Sequence, residues 1–226
     1  MSISPDRILF SDDHLLVVSK LAGELTVRGK GQVGKLPLYD FLHEDYPGLR
    51  VLHRLDFDTS GIVVFARSKA ACDAVLASGF AGWKKVYRAI VAGVIGRERG
   101  VIRAPLPARS IKGKQAQSLV PAVTNFTVLK RFAGATYIEC NIETGRHHQI
   151  RRHCKAIGHP LALDEVYGDA KFNRQFGRVT KFRKFFLHAS ALDLRHPISG
   201  EHLHIEAPLP RAFLQALERL GGPGKS

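Results

Sequence analysis

The sequence predicts an α+β fold, built on a mixed, largely antiparallel sheet with flanking helices. Segments with strand character outnumber those with helical spacing. These strands follow one another directly instead of alternating with helices, which argues against a regular βαβ order. No Pro-, Gly- or Ser-rich linker divides the 226 residues, so we expect a single domain that spans residues 1–226.

In the first half of the chain, short apolar segments are separated by turn residues. The continuous apolar run at 61–66 is typical of a strand buried on both faces. Helical spacing places Ala70, Ala74 and Ala77 on one side of a predicted helix over 69–80. The remaining predicted elements are strands at 8–10, 14–20 and 85–91, a short helix at 36–43, and a glycine-rich loop at 23–34.

The second half begins with a basic segment at 103–118, which we interpret as an exposed loop that carries Arg103, Arg109, Lys112 and Lys114. A helix is predicted at 145–157, because Ile150, Cys154 and Ile157 share one face and Gly158 follows. A long loop then extends to Lys184. Four strands, at 124–130, 136–142, 185–194 and 202–205, and a closing helix at 212–220 complete the prediction.

Charge is the strongest compositional signal. The formal net charge is +14 at pH 7 and the isoelectric point is about 10.0, which favours a polyanionic partner such as nucleic acid over a merely soluble basic protein. Three cysteines without a C-x-x-C pair indicate reduced thiols. No signal peptide or apolar run of roughly 20 residues is visible, so we expect a cytoplasmic protein without membrane contact.

The most informative segment is His53-Arg54-Leu55-Asp56-Phe57-Asp58-Thr59-Ser60-Gly61, directly before the predicted buried strand. Asp56 has three possible roles from its surroundings alone. It could cap a turn or pair with Arg54. It could bind a metal with Asp58, although no further acidic cluster accompanies them. It could also be a nucleophile or base, held ionised by a nearby cation.

A second segment, residues 143–153, contains three arginines and three histidines at the start of the predicted helix. Spacing of four places His147, Arg151 and Lys155 on one helix face, where they favour an anion. Zinc binding is the alternative, since several histidines and a cysteine lie close in sequence. No standard zinc-finger spacing fits His147, His148, His153, Cys154 and His159.

These segments resemble motifs of the RluA-type pseudouridine synthases. Residues 53–61 are similar to the family's H-R-L-D-x-x-T-S-G, and 143–153 to its T-G-R-x-H-Q-I-R. Residues 84–89 resemble its K-x-Y segment and 186–189 its L-H-A strand. The resemblance implies an RNA isomerase that detaches uracil from ribose, rotates it and rejoins it through carbon 5. It also implies a pseudouridine synthase-like sheet with a central RNA-binding cleft, and no cofactor or metal.

By this resemblance Asp56 is catalytic, and either attacks the ribose or abstracts a ribose proton. Tyr87 is expected to stack on the target base, and Arg151 to form an ion pair with Asp56, with Arg146 as the alternative partner. Leu187 is expected to line the uracil pocket. Arg54 would lie near the gap left by the flipped nucleotide, or simply contact a phosphate.

The segment Lys171–Lys184 combines six basic residues with three phenylalanines and no acid. Such interleaving suits RNA backbone and exposed bases, although the phenylalanines could instead pack on the core beneath a flexible loop. The expected RNA-binding residues are Arg54, Arg146, His148, Arg152, Lys171, Arg174, Arg178, Lys181, Arg183 and Lys184.

The resemblance extends over nearly the whole chain, with two departures. Ser19 and Leu21 replace the asparagine and proline of the family's N-K-P-A-G segment, and Leu163 replaces a glycine before Asp164. The chain also resembles the TruC-type tRNA enzymes, which predicts a tRNA substrate and leaves an rRNA-directed or dual-specificity enzyme as the alternative. We expect a monomer without an N-terminal S4-type domain. A non-catalytic RNA-binding protein and a metal-dependent nuclease are more distant alternatives.

Overall fold

The computed structural model describes residues 3–28, 36–108 and 118–222. The chain forms two compact units, Met1–Lys85 with His188–Pro208, and Val86–Leu187 with Leu209–Ser226. The strands are β1 (Ile8–Ser11), β2 (Leu15–Lys20), β3 (Arg50–Val51), β4 (Ser60–Ala66), β5 (Lys84–Ala92), β6 (Arg99–Arg103), β7 (Leu106–Pro107), β8 (Leu119–Val120), β9 (Val123–Arg131), β10 (Ala135–Ile142), β11 (Leu187–Arg195) and β12 (His202–Glu206). The helices are α1 (Leu38–Asp45), α2 (Lys69–Ser78), α3 (Gln149–Ala156), α4 (Ala170–Thr180) and α5 (Arg211–Gly221).

The sheet of the first unit is centred on β4. Strands β2 and β3 pair with β4 in antiparallel fashion, β1 pairs antiparallel with β2, and β12 pairs antiparallel with β11. The pairing of β4 with β11 is parallel, so the sheet is mixed and largely antiparallel, as predicted. Every residue of β4 is buried, which confirms that its continuous apolar run reflects burial on both faces.

In the second unit, β9 pairs antiparallel with both β10 and β6, and β5 neighbours β10. Strand β9 alternates buried and exposed residues, which is typical of a strand with one face on the core. Helix α5 inserts Phe213 against Phe186 and Tyr137, with ring centroids 5.2 and 5.8 Å apart. Aromatic packing therefore fixes α5 within this unit.

Two predicted loops contain regular structure. Residues 170–180 form α4, where Asp169 caps the helix by accepting a hydrogen bond from the Phe172 amide. The predicted loop at 103–118 is also partly wrong, because Arg103 ends β6 and residues 106–107 form β7. Arg109, Lys112 and Lys114 lie outside the described residues.

Helix α3 begins four residues later than predicted. His148 precedes the helix in a left-handed conformation with φ of 54°. Because this conformation is not α-helical, the first helical residue is Gln149. Within residues 3–28, 36–108 and 118–222, no helix is both long and apolar enough to span a bilayer.

Candidate active site

Asp56 is the first residue of a tight turn that leads into β4. The amide of Thr59 donates to the Asp56 carbonyl oxygen at 3.1 Å, which closes the turn. His53 holds the chain before this turn against β4, because its Nε2 accepts a hydrogen bond from the Val64 amide at 3.1 Å. This bond extends the contact between the two segments beyond the end of β3. Leu52 and Leu55 are buried, whereas Asp56 is half-buried and Arg54 is exposed. The motif thus alternates core anchors with groups that reach solvent.

The backbone on both sides of Asp56 is anchored to the loop after β2. The Thr26 hydroxyl donates to the Leu55 carbonyl at 3.4 Å and accepts from the Leu55 amide at 3.3 Å. On the other side, the Gly23 amide donates to the Phe57 carbonyl at 2.8 Å. Because the residues before and after Asp56 are both held, the position of its Cα is tightly defined.

Lys20 gives this turn a buried cation. Its side chain is fully buried, and its ammonium donates to the carbonyl oxygens of Leu21, Glu24 and Phe57 at 2.9, 2.8 and 3.0 Å. Burial lowers the pKa of Lys20 to about 8, although Glu24 and the carboxylates of the Asp56 turn oppose this effect. The three protons of the charged form match the three carbonyls, so Lys20 joins the loop after β2 to the turn.

The T-S-G end of the motif interlocks with the L-H-A strand. The Ser60 hydroxyl lies 2.9 Å from His188 Nδ1, and His188 Nε2 lies 3.2 Å from the Ala207 carbonyl, an acceptor that requires the proton on Nε2. Gly61 pairs with Ala189, and a Cβ on Gly61 would lie 2.1 Å from the Ala189 carbonyl oxygen. Only glycine, here with φ of 105°, permits this approach.

Tyr87 is buried on β5. Next to it in sequence, Arg88 forms an ion pair with Glu139 at 2.8 Å.

Burial lowers the pKa of Lys85. Burial, with a smaller contribution from the Lys85 charge, lowers the pKa of His53 to about 3, so His53 is neutral and able to accept the Val64 amide.

Gln149 fixes the start of α3. Its side-chain oxygen accepts from the Thr144 hydroxyl at 2.8 Å and from the Arg146 amide at 3.1 Å. Its side-chain nitrogen donates to the Val123 carbonyl at 2.9 Å. Gln149 is buried, whereas Arg146 is exposed. This arrangement orients the loop that carries Arg146 while its guanidinium reaches solvent.

Arg151 is a buried and firmly held cation of the second unit. Asp164 accepts from its Nε at 2.6 Å and from its Nη2 at 2.9 Å, and both residues are buried. The rings of Tyr167 and Phe185 lie 5.0 and 4.6 Å from the guanidinium carbon. Burial alone would raise the pKa of Asp164, but Arg151 and the amides of Tyr167 and Val166 outweigh it and lower that pKa.

Tyr167 also organises the exposed side of α3. Its hydroxyl accepts from Arg152 Nε at 2.9 Å and lies 3.1 Å from His148 Nδ1. The Lys155 ammonium lies 5.8 Å from the same ring, and the His148 ring stacks on His147 with centroids 3.7 Å apart. Three cations, from Arg151, Arg152 and Lys155, therefore lie around the Tyr167 ring, which concentrates positive charge as an anionic ligand requires.

The structure argues against the zinc alternative. Thr124 and the Ala104 carbonyl occupy both ring nitrogens of His153, at 2.8 and 2.9 Å. The His159 Nδ1 lies 2.8 Å from the Ala92 carbonyl, and Cys154 is buried beside Cys140. Among the described residues, no group of three or more histidine, cysteine or acidic side chains is arranged to hold a metal ion.

The predicted basic segment maps mainly onto α4. Lys171, Arg174 and Arg178 lie on the helix and are exposed, and Lys181 caps its C-terminus with φ of 62°. Arg183 and Lys184 follow and are also exposed.

The phenylalanines of this segment explain how the helix packs. Phe176 is buried, with its ring 5.4 Å from Phe172 and 6.2 Å from Phe186, and Phe182 lies edge-on to Phe186 at 5.5 Å. The alternative that these rings pack on the core is therefore confirmed for Phe176. Leu187, predicted to line a base pocket, is buried at the start of β11.

Three residues that position this chemistry were missed from the sequence: Lys20, Asp164 and Tyr167. Lys20 belongs to the segment compared with N-K-P-A-G, and Asp164 follows the departure at Leu163, so both lay within recognised motifs. Asp56 belongs to the first compact unit, and Tyr87 and Arg151 belong to the second. The ion pair expected between Asp56 and Arg151 stays a prediction.

Comparison with known proteins gives concordant matches. A family profile described as "RNA pseudouridylate synthase" matches residues 14–156. The chain is 36% identical over 223 residues to "Ribosomal large subunit pseudouridine synthase C" of Escherichia coli strain K12, covering 95% of this chain and 70% of that protein. It is 37% identical over 229 residues to "Ribosomal large subunit pseudouridine synthase D" of Nitrosomonas europaea, covering 96% and 66%.

Among solved structures, the chain resembles "Human RNA Pseudouridylate Synthase Domain Containing 4" with a TM-score of 0.78 and 25% identity, covering 94% of this chain and 92% of that one. "Human RNA Pseudouridylate Synthase Domain Containing 1" matches with a TM-score of 0.71 and 27% identity, covering 93% and 87%. These likenesses agree with the predicted sheet and flanking helices.

Proposed function

Because this chain belongs to the RNA pseudouridylate synthase family, and is therefore an isomerase that acts on RNA, we propose that its substrate is a uridine of large-subunit ribosomal RNA. The observation that carries this proposal is the 36–37% identity, over at least 95% of the chain, to proteins named for the large ribosomal subunit. These relatives favour the rRNA alternative over the tRNA substrate expected from the TruC-type resemblance.

Asp56 is the proposed catalytic carboxylate. Its turn is held by Thr26, Gly23 and Lys20, so a rigid backbone carries the carboxylate. Catalysis requires such accurate positioning of the reacting group. In the reaction, the bond between N1 and C1′ breaks, a bond between C5 and C1′ forms, the proton of C5 leaves to solvent, and N1 takes up a proton, so that the product is an isomer of the substrate. Asp56 either attacks the ribose or removes a ribose proton.

Tyr87 and Arg151 are the proposed partners of Asp56. Support for Tyr87 is its buried position on β5 within the K-x-Y segment, which suits a ring that packs against an extruded base. Support for Arg151 is its rigid setting between Asp164, Tyr167 and Phe185. A guanidinium held this firmly could act as a counter-ion without reorganisation during the reaction.

The test uses transcripts of large-subunit rRNA and bulk tRNA that carry tritium at C5 of uridine. Pseudouridine formation releases this tritium, so we expect release from the rRNA transcript and none from tRNA. Asp56→Asn should abolish release. Asp58→Asn is the matched control, because it neutralises a carboxylate in the same turn and should retain release within a few-fold.

Each outcome has a separate meaning. Release from tRNA alone would refute the rRNA substrate and restore the tRNA expectation, whereas equal release by Asp56→Asn would remove Asp56 from the mechanism. Mapping the pseudouridines in the rRNA product identifies the target position. Tyr87→Phe should lower turnover while leaving RNA affinity within a few-fold of wild type, which separates a catalytic role from simple packing.

A further inference from the structure

A groove beside α4 is lined by positive charge that the fold leaves unpaired. The cavity has a volume of about 520 Å³ and is bordered by Arg174, Arg178, Lys181 and Arg183. All four side chains are exposed, and among the described residues none of them forms an ion pair with a carboxylate. Other arginines are paired, including Arg7 with Glu24 and Arg131 with Glu98. The distinguishing feature of the groove is that four cations without a carboxylate partner in the described part of the chain line one cavity.

We propose that this groove binds backbone phosphates of the RNA substrate, outside the nucleotide that is isomerised. This inference rests on the proposed function, because RNA is the polyanion that the enzyme is expected to bind. It deepens that function by assigning a second contact surface, formed by α4 and the segment that follows it.

Helix energetics support a ligand role for these cations. Arg174 and Arg178 are four residues apart on α4, where like charges repel and cost a few tenths of a kcal/mol. The negative end of the helix dipole would favour Arg178 and Lys181 near the C-terminus. It does not explain Arg174, in the second turn, or Arg183, beyond the helix. An anionic ligand accounts for all four positions together.

The backbone geometry of the groove is also specific. A Cβ on Gly177 would lie 3.2 Å from the Phe182 carbonyl oxygen, so a glycine here lets the segment after α4 pass close to the helix. Lys181 adopts φ of 62°, a left-handed conformation that normally favours glycine. A lysine at this position places a cation at the reversal of the chain, where it borders the groove.

The segment 163–165 connects the lining of the groove to Arg151. Leu163 and Glu165 line the cavity, whereas Asp164 between them is buried and holds Arg151. One three-residue segment thus presents its flanking residues to the groove and its central carboxylate to Arg151. Glu165 is the one carboxylate among the lining residues, so the groove retains a formal charge of +3 from four cations and one acid.

The same surroundings predict that the groove reads phosphates and not bases. Phe182 is the aromatic lining residue, but its ring already packs against Phe186 at 5.5 Å and against the Arg219 guanidinium at 5.4 Å. A ring engaged in this way is a poor platform for stacking. We therefore expect binding that depends strongly on salt and little on base sequence.

The experiment measures filter binding of the full-length protein to a large-subunit rRNA transcript between about 50 and 200 mM KCl. The Arg174→Gln/Arg178→Gln variant should bind about tenfold more weakly at ~100 mM salt, and the slope of log Kd against log salt should fall by nearly 2. The Arg174→Lys/Arg178→Lys variant keeps the charge and should bind within about twofold of wild type.

The control is Arg195→Gln/Arg211→Gln, which removes the same charge from two exposed arginines that do not line the groove. It should weaken binding less than about threefold. Equal losses in the groove and control variants would overturn the proposal, as would an equal loss in the lysine variant. An unrelated RNA of equal length should compete for the groove as effectively as the rRNA transcript does. If binding instead showed a strong preference for base sequence, and the glutamine substitutions removed that preference, phosphate recognition would be refuted.

This assay is independent of catalysis. If the wild-type protein binds RNA through the groove but releases no tritium from any RNA, the proposed function fails and the groove assignment stands. If tritium is released from rRNA and the groove variants bind as wild type does, the groove assignment fails and the proposed function stands.

Discussion

Replacing Lys20 with methionine tests the anchoring of the Asp56 turn. Methionine keeps most of the apolar stem of the lysine but removes the ammonium, so the carbonyls of Leu21, Glu24 and Phe57 lose a buried donor. A hydrogen bond from a charged group contributes about 1.5–3 kcal/mol, so three of them are a large fraction of the stability of a domain.

Part of this loss is offset, because the variant no longer buries a charge. The pKa of Lys20 is about 8 instead of 10.5, and that difference corresponds to about 3 kcal/mol of burial cost that methionine avoids. We therefore expect Lys20→Met to lower the free energy of unfolding by about 2–5 kcal/mol. It should also lower the rate of tritium release about 100-fold, because the Phe57 carbonyl next to Asp56 keeps the Gly23 amide but loses the Lys20 ammonium, and a displacement of ~1 Å is enough for such an effect.

Urea unfolding followed by circular dichroism measures the stability, and tritium release under saturating RNA measures the rate. Lys69→Met is the control, because Lys69 is an exposed lysine on α2 and its ion pair with Asp73 should contribute less than about 1 kcal/mol. If Lys20→Met lost no more stability than Lys69→Met and kept its turnover, Lys20 would not anchor the turn.

The pH dependence gives a second test of the same residue. Because the pKa of Lys20 is lower in the folded protein than in the unfolded chain, the unfolded chain binds the proton more tightly between these values. The contribution of Lys20 to stability should therefore rise as the pH rises from about 8 to about 10.5. The difference in unfolding free energy between wild type and Lys20→Met should show this rise, and a difference that stays flat with pH would contradict the burial of a charged lysine.

Four further changes have defined outcomes. Gly61→Ala should destabilise the protein by at least about 3 kcal/mol in urea unfolding, because the new Cβ would lie 2.1 Å from the Ala189 carbonyl oxygen. The control is Gly96→Ala, which has open space around the new methyl group and should change the stability little. Equal losses of stability in the two variants would refute the close contact between Gly61 and Ala189. Asp164→Asn should lower the free energy of unfolding by about 3–5 kcal/mol, because it leaves the charge of the buried Arg151 without a partner. Asp73→Asn, at an exposed ion pair, should lower it by less than about 1 kcal/mol. An equally small loss for Asp164→Asn would mean that Asp164 does not hold Arg151. Leu163→Gly should lower the melting temperature. Removing the buried leucine side chain costs about 2–5 kcal/mol, whereas the glycine relieves only roughly 1 kcal/mol of backbone strain at φ of 66°. A higher melting temperature would show that the strain is the larger effect. The pKa of His53, about 3, lies below its ordinary value of 6.5, so stability should fall by about 4 kcal/mol as the pH drops from 6.5 to 3, and this fall should disappear in His53→Gln if His53 causes it.

Elements whose cause is local could be predicted from the sequence. The buried strand β4 was visible as a continuous apolar run, and α2 as a helical pattern, because burial of either element needs only neighbouring residues of the right type. The catalytic candidate Asp56 was also local, since a single motif contains it. The family resemblance then supplied Tyr87 and Arg151.

The rest depends on contacts between distant residues or on a pattern hidden by charge. In α4 the spacing of Phe172, Phe176 and Thr180 is helical, but six basic residues between 171 and 184 made the segment resemble a loop. The ammonium of Lys20 reaches a carbonyl 37 positions later in the chain. No local pattern in the sequence contains that information, because it arises only when the strands pair.

The interlock of Gly61 with Ala189 has a consequence for protein engineering. The nine-residue motif around Asp56 is not a portable cassette, because its geometry depends on Lys20, Gly23 and Thr26 before it and on the β11 backbone more than a hundred residues after it. Grafting residues 53–61 onto another sheet would transfer the aspartate without its position. A functional transplant would have to include β2, the loop that follows it, and a parallel neighbour whose backbone tolerates contact with Gly61.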